Sequence, residues 1–298
     1  MGAIELTVVV PSVNGLGDLV GCLESVERLR ETVGLEVLVV DRIGGPVAEM
    51  VRTRFPLVVL LPVPPTATIP EMRHLAFQKA RGEAVAVIED HIVVPVDWGR
   101  RLLDALADGH NVVGGAIVNA ATGRLVDWAA FLCEYSACLP PIPAGNSEWL
   151  PGNNVIYARE LLDRYRTVTA EGRWENRLHD AMKTDGEVLW CRPDIVVGHK
   201  KHYTFGEYLS QRYLYARSYA GGRVVGAPLS KRIAYGAAAF SLPPLLLFRT
   251  LQRLNAKKVD RGLVLRSLPM IAVFVTSWGL GEVVGYWFGA GDSLAKVC

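Results

Sequence analysis

Four short apolar runs near the start of the chain restrict the fold more than any other feature. They read LTVVVP (6–11), EVLVVD (36–41), LVVLLP (57–62) and AVAVIED (84–90), and stretches with a helical residue pattern separate them. Continuous apolar runs of this length are typical of strands that are covered on both faces. Their alternation with helices predicts an α/β fold with a mostly parallel sheet flanked by helices.

Charged side chains follow two of these runs. Asp41 ends the second run, and Glu89, Asp90 and His91 come after the apolar part of the fourth. Open α/β sheets bind ligands beyond the carboxyl ends of their strands, so we expect these side chains to face one crevice. A divalent cation bound there could hold a substrate diphosphate. His91, a softer ligand than a carboxylate, would shift the preference toward Mn²⁺. The alternative is a solvated loop with ordinary charges.

Charge and cysteine content limit the compartment and the partners. The net charge of the 298 residues is +2, but residues 231–298 carry nine Lys or Arg and only three Asp or Glu. A basic, apolar tail on a mildly acidic body indicates a membrane surface rather than nucleic acid. The five cysteines form no CxxC pair, which predicts reduced thiols in the cytoplasm. No basic segment precedes an apolar core at the start, so the first domain is expected to stay in the cytoplasm.

Two apolar stretches near the end of the sequence predict association with a membrane. The first, 233–248, is 16 residues long and holds a Pro-Pro pair, whereas the second, 268–291, is longer but contains Glu282. A spanning helix needs about 20 apolar residues, so the second stretch qualifies better. The Lys- and Arg-rich loop between them stays cytoplasmic if the first stretch lies in the interface. The alternative is a pair of buried core helices.

A series of motifs in a fixed order gives the chain a resemblance to a known family. The motifs are VVVPSVN (8–14), EVLVVD (36–41), ARGEAVAVIED (80–90), VVGG (112–115), PGNNVIYARELL (151–162) and WEN (174–176). Together they resemble the family 2 glycosyltransferases, which have the Rossmann-type GT-A fold and use nucleotide-sugar donors. The resemblance covers about residues 4 to 220. It implies a GT-A-like domain over residues 1–228 and a membrane-associated helical segment over 229–298.

The resemblance also implies roles for particular residues. The expected donor-binding residues lie in the first loop, at the end of the second strand, on a helix, in the triplet Glu89-Asp90-His91 and further along the chain. They are, in this order, Pro11, Ser12 and Asn14, then Asp41, then Arg73, then Glu89 and Asp90, and finally Arg217. The triplet resembles the DxD element that holds a metal and the diphosphate. It departs from the family pattern, because His91 stands where an acidic ligand is usual. The implied metal ligands are Asp90 and His91, and the implied ion is Mn²⁺ or Mg²⁺. His199 and His202, in the segment GHKKHYTF after the last strand, could also reach the metal or the diphosphate, and the alternative is a structural role.

A carboxylate at the start of a later helix is the expected catalytic base. The family usually has a Glu-Asp pair there, whereas this chain has Glu175-Asn176, so Glu175 is the only carboxylate available. A base must reach the acceptor hydroxyl and have a suitable pKa. The alternative is a charge that complements the helix dipole. Arg217 and Arg223 could clamp a phosphate, or could belong to a basic helix that approaches an anionic membrane.

We therefore expect an inverting, metal-dependent glycosyltransferase at the cytoplasmic face of the cell membrane. Its donor would be a nucleoside-diphosphate sugar, and its acceptor a lipid-linked glycan or glycolipid of the cell envelope. Two alternatives stay open. A degenerate transferase domain could act as a membrane scaffold, since His91 and Asn176 depart from the family pattern. A nucleotidyltransferase has weaker support, because the loop PSVNGLGD lacks Lys and Arg. Nucleic-acid binding is not supported.

Overall fold

The computed structural model describes residues 3–298 and divides them into two compact units. The first unit contains the chain up to Ala120 together with Pro140–Lys200, and the second contains Ala121–Leu139 together with Lys201–Cys298. The boundary predicted after residue 228 lies inside the second unit. An internal segment, Ala121–Leu139, also belongs to that unit. The compact units of the structure therefore differ from the two domains predicted from the sequence.

Nine strands form the sheet of the first unit. They are β1 (Leu6–Ser12), β2 (Leu35–Asp41), β3 (Val59–Pro62), β4 (Ala84–Val87), β5 (Ile92–Val93), β6 (Val112–Asn119), β7 (Gly145–Asn146), β8 (Val155–Ala158) and β9 (Leu189–His199). The four strands predicted from apolar runs are present as β1 to β4. β1 is buried along its whole length, and β4 likewise, as expected for strands covered on both faces.

Helices connect these strands and make up the second unit. The first unit holds α1 (Leu16–Glu27), α2 (Pro46–Arg54), α3 (Ile69–Lys79), α4 (Trp98–Ala107), α6 (Arg159–Arg164), α7 (Arg166–Thr169) and α8 (Glu175–Thr184). The second unit holds α5 (Leu125–Tyr135), α9 (Phe205–Arg223), α10 (Leu229–Ala239), α11 (Leu242–Ala256) and α12 (Arg261–Phe288).

The sheet has the order β3-β2-β1-β4-β8-β6-β9-β5, and β7 pairs with β9. The strands β3, β2, β1 and β4 are parallel, and β6 is parallel to β9. β8 runs antiparallel to both of its neighbours, and β5 and β7 run antiparallel to β9. The α/β fold predicted from the apolar runs is confirmed, and the sheet as a whole is mixed rather than mostly parallel. The difference arises after β4, where the sequence pattern becomes irregular.

The strand register brings several polar residues to one edge of the sheet. Ser12 at the end of β1 pairs with Asp41 at the end of β2. β4 stops at Val87, and the next residues leave the sheet at this same carboxyl edge. β5 then pairs with the end of β9, with Ile92 opposite His199. His91, next to Ile92, therefore lies beside His199 although the two are far apart in sequence.

The helices α9 and α12 of the second unit pack with their backbones in close approach. A Cβ atom on Gly281 would lie 2.4 Å from the carbonyl oxygen of Tyr213, and one on Gly285 would lie 2.6 Å from that of Arg217. Small residues four positions apart permit such close helix contact. α12 is the helix of residues 3–298 that is long and apolar enough to cross a membrane, and the bent pair α10–α11 also qualifies if it counts as one span.

Candidate active site

Asp90 anchors the first loop to the carboxyl edge of the sheet. Its Oδ2 accepts hydrogen bonds from the backbone N–H groups of Val13 (2.7 Å) and Asn14 (2.8 Å), and its Oδ1 accepts one from Asn14 Nδ2 (2.6 Å). Burial opposes ionisation of Asp90, but the hydrogen bonds from His91, Asn14 and Val13 outweigh it and hold its pKa below the usual value. The fully buried carboxylate thus fixes the loop that carries Asn14.

Three neighbouring side chains converge on one point beside Asp90. A carboxylate oxygen of Glu89 and ring nitrogens of His91 and His199 all lie within 4.8 Å of one another. His91 Nε2 is 3.3 Å from Glu89 Oε2 and 3.0 Å from His199 Nε2. Glu89 Oε2 also accepts a hydrogen bond from Asn153 Nδ2 at 2.9 Å. The predicted residues His91 and His199 are therefore brought together, and Glu89 rather than Asp90 completes the cluster.

The donor set of this cluster suits a divalent metal ion. His91 Nδ1 lies 3.1 Å from Asp90 Oδ1 and 3.2 Å from Asn14 Nδ2. In the tautomer with the proton on Nδ1, the lone pair of Nε2 would face His199 and Glu89. A carboxylate that holds a histidine in this tautomer is the usual support of a metal-binding histidine. Two imidazoles and one carboxylate are ligands that first-row transition ions prefer. In this structure Asp90 contacts His91. The roles of Asp90, His91 and His199 as metal ligands stay predictions.

The predicted donor residues of the first two strands lie along the same edge. Pro11 and Ser12 end β1, and Ser12 is fully buried, with no hydrogen-bond partner for its hydroxyl within residues 3–298. Asp41 ends β2 and accepts hydrogen bonds from the N–H groups of Ile43 and Gly44, each at 3.0 Å. The carboxylate of Asp41 therefore shapes its own turn. Its contact with a nucleotide stays a prediction.

Arg73 and Glu175, which the sequence assigned to separate roles, form an ion pair. Arg73 Nη1 donates to Glu175 Oε2 at 2.8 Å, and the Arg73 side chain is 8% exposed while that of Glu175 is 29% exposed. Both line a small cavity of about 30 Å³. A Cβ atom on Gly152 would lie 2.4 Å from Glu175 Cδ. Only glycine at position 152 leaves room for the carboxylate in this place.

A buried tyrosine–histidine pair lies one helical turn from Glu175. Tyr157 Oη and His179 Nε2 are 2.7 Å apart, and both side chains are almost fully buried. Burial lowers the pKa of His179 to about 4, so its ring is neutral at pH 7. Sequence analysis gave no role to this histidine, although its spacing of four from Glu175 on α8 places the two on one face. It also gave no role to Gly152 or Asn153, which belong to the motif PGNN.

Arg217 and His202 both lie in the second unit. Arg217 is on α9, where its Nε donates to the carbonyl oxygen of Gly289 at 3.3 Å. His202 Nδ1 is 2.8 Å from Asp127 Oδ2, a carboxylate that also accepts from Arg124. Donor binding by Arg217 stays a prediction. His202 takes part in the polar network of the second unit.

Comparison with known proteins gives a family match and a fold match. Residues 7–137 match the family model described as Glycosyl transferase family 2. No curated protein matches the sequence. The mannosyltransferase PcManGT from Pyrobaculum calidifontis, solved in complex with GDP-Man and Mn²⁺, is similar over 94% of this chain and 87% of its own, with a TM-score of 0.58 at 17% identity. S. aureus TarS, solved with UDP, is 16% identical over 70% of this chain and 63% of its own, with a TM-score of 0.45.

The matched region and the fold agree with the site geometry. Residues 7–137 include β2, β4, all of β1 except Leu6, and the Glu89-Asp90-His91 turn, and these segments form most of the carboxyl edge. The strands contributed by residues beyond 137 complete the mixed sheet and supply His199. Residues 7–137 thus match the family 2 glycosyltransferases, and the chain has the GT-A fold.

Proposed function

We propose that this protein transfers a sugar, with inversion at the anomeric carbon, from a nucleoside-diphosphate sugar to an acceptor at a membrane surface. The observation that carries the proposal is the convergence of Glu89, His91 and His199 at the carboxyl edge of the sheet, beside a loop that Asp90 fixes. Support for the donor class comes from the similar fold of PcManGT, whose structure contains GDP-Man and Mn²⁺.

In this proposal Glu89, His91 and His199 hold the metal ion, either Mn²⁺ or Mg²⁺. A bound divalent ion would supply positive charge to the diphosphate leaving group. The two imidazoles favour Mn²⁺ over Mg²⁺, because Mg²⁺ prefers oxygen ligands. Asp90 keeps His91 oriented and holds the Asn14 loop against the donor. Pro11, Ser12 and Asp41 lie along the same edge, where the nucleoside would bind.

Glu175 is the proposed catalytic base. Its carboxylate would take the proton from the acceptor hydroxyl as that oxygen bonds to the anomeric carbon and the bond to the diphosphate breaks. A single displacement of this kind inverts the configuration. The Arg73 guanidinium, at 2.8 Å, orients the carboxylate. Tyr157 and neutral His179 pack behind the pair. Arg73 also offers positive charge to a donor phosphate, as the resemblance implies.

The acceptor is proposed to be lipid-linked, with the first unit at the cytoplasmic face of the membrane. Support comes from the 28-residue apolar helix α12 and from the excess of Lys and Arg after residue 230. Basic residues next to apolar helices favour the anionic cytoplasmic leaflet. An acceptor embedded in that leaflet would reach an enzyme attached to it without diffusing through water.

The donor class is tested by thermal unfolding with a panel of nucleoside diphosphates, with and without Mn²⁺ or Mg²⁺. A nucleotide at about 100 times its dissociation constant is expected to add about 2.7 kcal/mol to the free energy of unfolding. We expect one nucleotide to stabilise only with metal, and His91→Ala to remove that effect. If no nucleotide stabilises the protein under any metal condition, the scaffold alternative replaces the enzyme.

The base is tested by product formation in membranes that contain the acceptor. Glu175→Gln is expected to lower kcat by about 10²- to 10⁴-fold, the usual contribution of a general base. Glu160→Gln is the matched control, because Glu160 is an exposed acid in the first turn of α6. Near-normal turnover by Glu175→Gln would rule out a hydroxyl acceptor that needs a base. The configuration of the product, read by NMR, decides between inversion and retention.

A further inference from the structure

A cavity of about 630 Å³ in the second unit has a basic and aromatic wall. Its polar lining is contributed by α9, α10, α12 and the α10–α11 junction: Arg223, Lys231, Tyr235, Ser241, Glu282 and Tyr286. The volume is in the range of small-molecule sites. Neither the family match, which ends at residue 137, nor the proposed chemistry at the carboxyl edge of the first unit accounts for this cavity.

The two cations in the cavity are held by tyrosines rather than by carboxylates. Arg223 donates to Tyr286 Oη at 3.2 Å and to Tyr219 Oη at 2.8 Å, and it lies 4.2 Å from the centre of the Tyr219 ring. Lys231 Nζ lies 5.3 Å from the centre of the Tyr235 ring. Within residues 3–298 neither cation forms an ion pair with a carboxylate. Their charge is therefore oriented but not neutralised by a contacting acid.

One acidic side chain also lines the cavity. Glu282 is 7% exposed, and its Oε1 accepts a hydrogen bond from Trp278 Nε1 at 2.7 Å. One carboxylate faces two cations, so the wall keeps a net positive charge. Tyr235 and Tyr286 stand edge to face with ring centres 5.5 Å apart and add hydroxyl groups to the lining. An anion with several oxygen acceptors matches this set of donors.

The surroundings of the cavity are apolar and exposed. Leu229 on α10 is 67% exposed, Phe240 at its end is 60% exposed, and Phe288 at the end of α12 is 72% exposed. Phe240 packs against Trp287, which contacts Phe288. Trp and Tyr side chains, such as Trp287 and the exposed Tyr235, concentrate where a membrane meets water. The chain from residue 231 onward adds nine basic residues against three acidic ones, which complements an anionic lipid surface.

We propose that this cavity binds the phosphate headgroup of an anionic membrane phospholipid. Arg223 and Lys231 would contact the phosphate, the tyrosine hydroxyls would accept or donate hydrogen bonds, and the acyl chains would lie along the exposed apolar side chains of α10 and α12. The inference rests on the membrane association proposed above, and it adds the lipid class and the residues that select it. It does not involve the sugar acceptor.

The test is thermal unfolding of the full chain in a neutral detergent, with short-chain lipids as probes. Dioctanoyl phosphatidylglycerol is expected to raise the Tm, whereas dioctanoyl phosphatidylcholine and inorganic phosphate are not. The Arg223→Gln/Lys231→Gln variant is expected to bind phosphatidylglycerol at least ~10-fold more weakly. Arg253→Gln, an exposed arginine on α11 outside the cavity, is expected to bind it normally. The same Tm shift with phosphatidylcholine, with phosphate alone, or in the double variant would overturn the assignment.

A second variant guards against misfolding, because Arg223 also bridges two tyrosines. Lys231→Gln alone removes only a cation–ring contact, and it is expected to weaken phosphatidylglycerol binding with an unchanged Tm in detergent. Flotation with phosphatidylcholine vesicles, with and without phosphatidylglycerol, distinguishes the headgroup site from membrane association in general. Binding to neutral vesicles without phosphatidylglycerol selectivity contradicts the headgroup site and leaves membrane association standing. Failure to bind any vesicle contradicts membrane association itself.

Discussion

The amino and carboxyl edges of the sheet place acidic side chains in different surroundings. At the amino edge, Glu36 accepts hydrogen bonds from Thr7 Oγ1 (2.8 Å) and from the N–H (2.8 Å) and Nε (2.5 Å) of Arg81. At the carboxyl edge, Glu89 accepts one hydrogen bond from Asn153 and faces the nitrogens of His91 and His199. The protein itself satisfies the first carboxylate. The second carboxylate faces two imidazoles instead, a set of ligands that suits a divalent cation.

The largest expected effect follows from removing the Glu36 carboxylate at the amino edge. Glu36→Ala leaves a buried hydroxyl and a backbone N–H without their acceptor, and each lost partner costs about 1–3 kcal/mol. We expect the free energy of unfolding to fall by about 3 kcal/mol in urea unfolding. Glu24→Ala removes an exposed ion pair with Arg54 and is expected to change it by less than about 1 kcal/mol. Equal effects of the two substitutions would show that burial does not distinguish these acids.

His179 is a buried histidine that hydrogen-bonds to Tyr157 and lies outside the cluster of Glu89, His91 and His199. Its pKa is lowered by burial to about 4 from an ordinary 6.5. Its contribution to stability is therefore complete above pH 6.5 and is lost as the pH falls to 4, because the unfolded chain takes up the proton first. The expected loss is about 3 kcal/mol at 1.36 kcal/mol per unit of pKa shift. The measurement compares urea unfolding of the wild type and His179→Gln at several pH values. Parallel curves for the two proteins would contradict the prediction.

Gly152→Ala tests the ion pair beside the carboxyl edge. The added Cβ would lie 2.4 Å from Glu175 Cδ, so the carboxylate must move away from Arg73. We expect a loss of about 1–3 kcal/mol of stability from overpacking, together with a fall in kcat. Gly21→Ala is the control, because nothing lies within 4 Å of a Cβ at that position of α1, and it is expected to be neutral or stabilising by up to about 1 kcal/mol. An unchanged kcat in Gly152→Ala would contradict the proposed role of Glu175 as the catalytic base.

The smallest expected change in stability is at the carboxyl edge without metal. Glu89→Gln keeps the size of the side chain and an oxygen acceptor, and it removes the negative charge that faces His91 and His199. We expect the free energy of unfolding in the presence of a chelator to change by less than about 1 kcal/mol, and the stabilisation by Mn²⁺ to disappear. Calorimetric titration with Mn²⁺ provides the second readout. A large loss of stability without metal would contradict the prediction, because it would show that contacts within the protein stabilise Glu89 as they stabilise Glu36.

Much of the carboxyl edge was predictable because it depends on local sequence. A short apolar run followed by charged residues indicates a strand and its end, so Asp41 and the Glu89-Asp90-His91 turn could be assigned to one crevice. The family resemblance added Arg73 and Glu175, and His199 was a candidate because it follows the last strand. What the sequence did not indicate was the division of roles within the triplet. Backbone N–H groups of the first loop bind Asp90, and no residue pattern reports which carboxylate those groups select.

Long-range pairing decided the rest. The sequence by itself determined the strand-and-helix alternation, the polar strand ends and the apolar C-terminal helices, since each follows from hydrophobic period and length within one segment. Only the tertiary structure placed His199 beside His91, through the β5–β9 register, and joined Arg73 to Glu175 across 102 positions. It also assigned Ala121–Leu139 to the second unit. These contacts join residues that are far apart in the sequence, and local propensity and periodicity carry no information about such pairing.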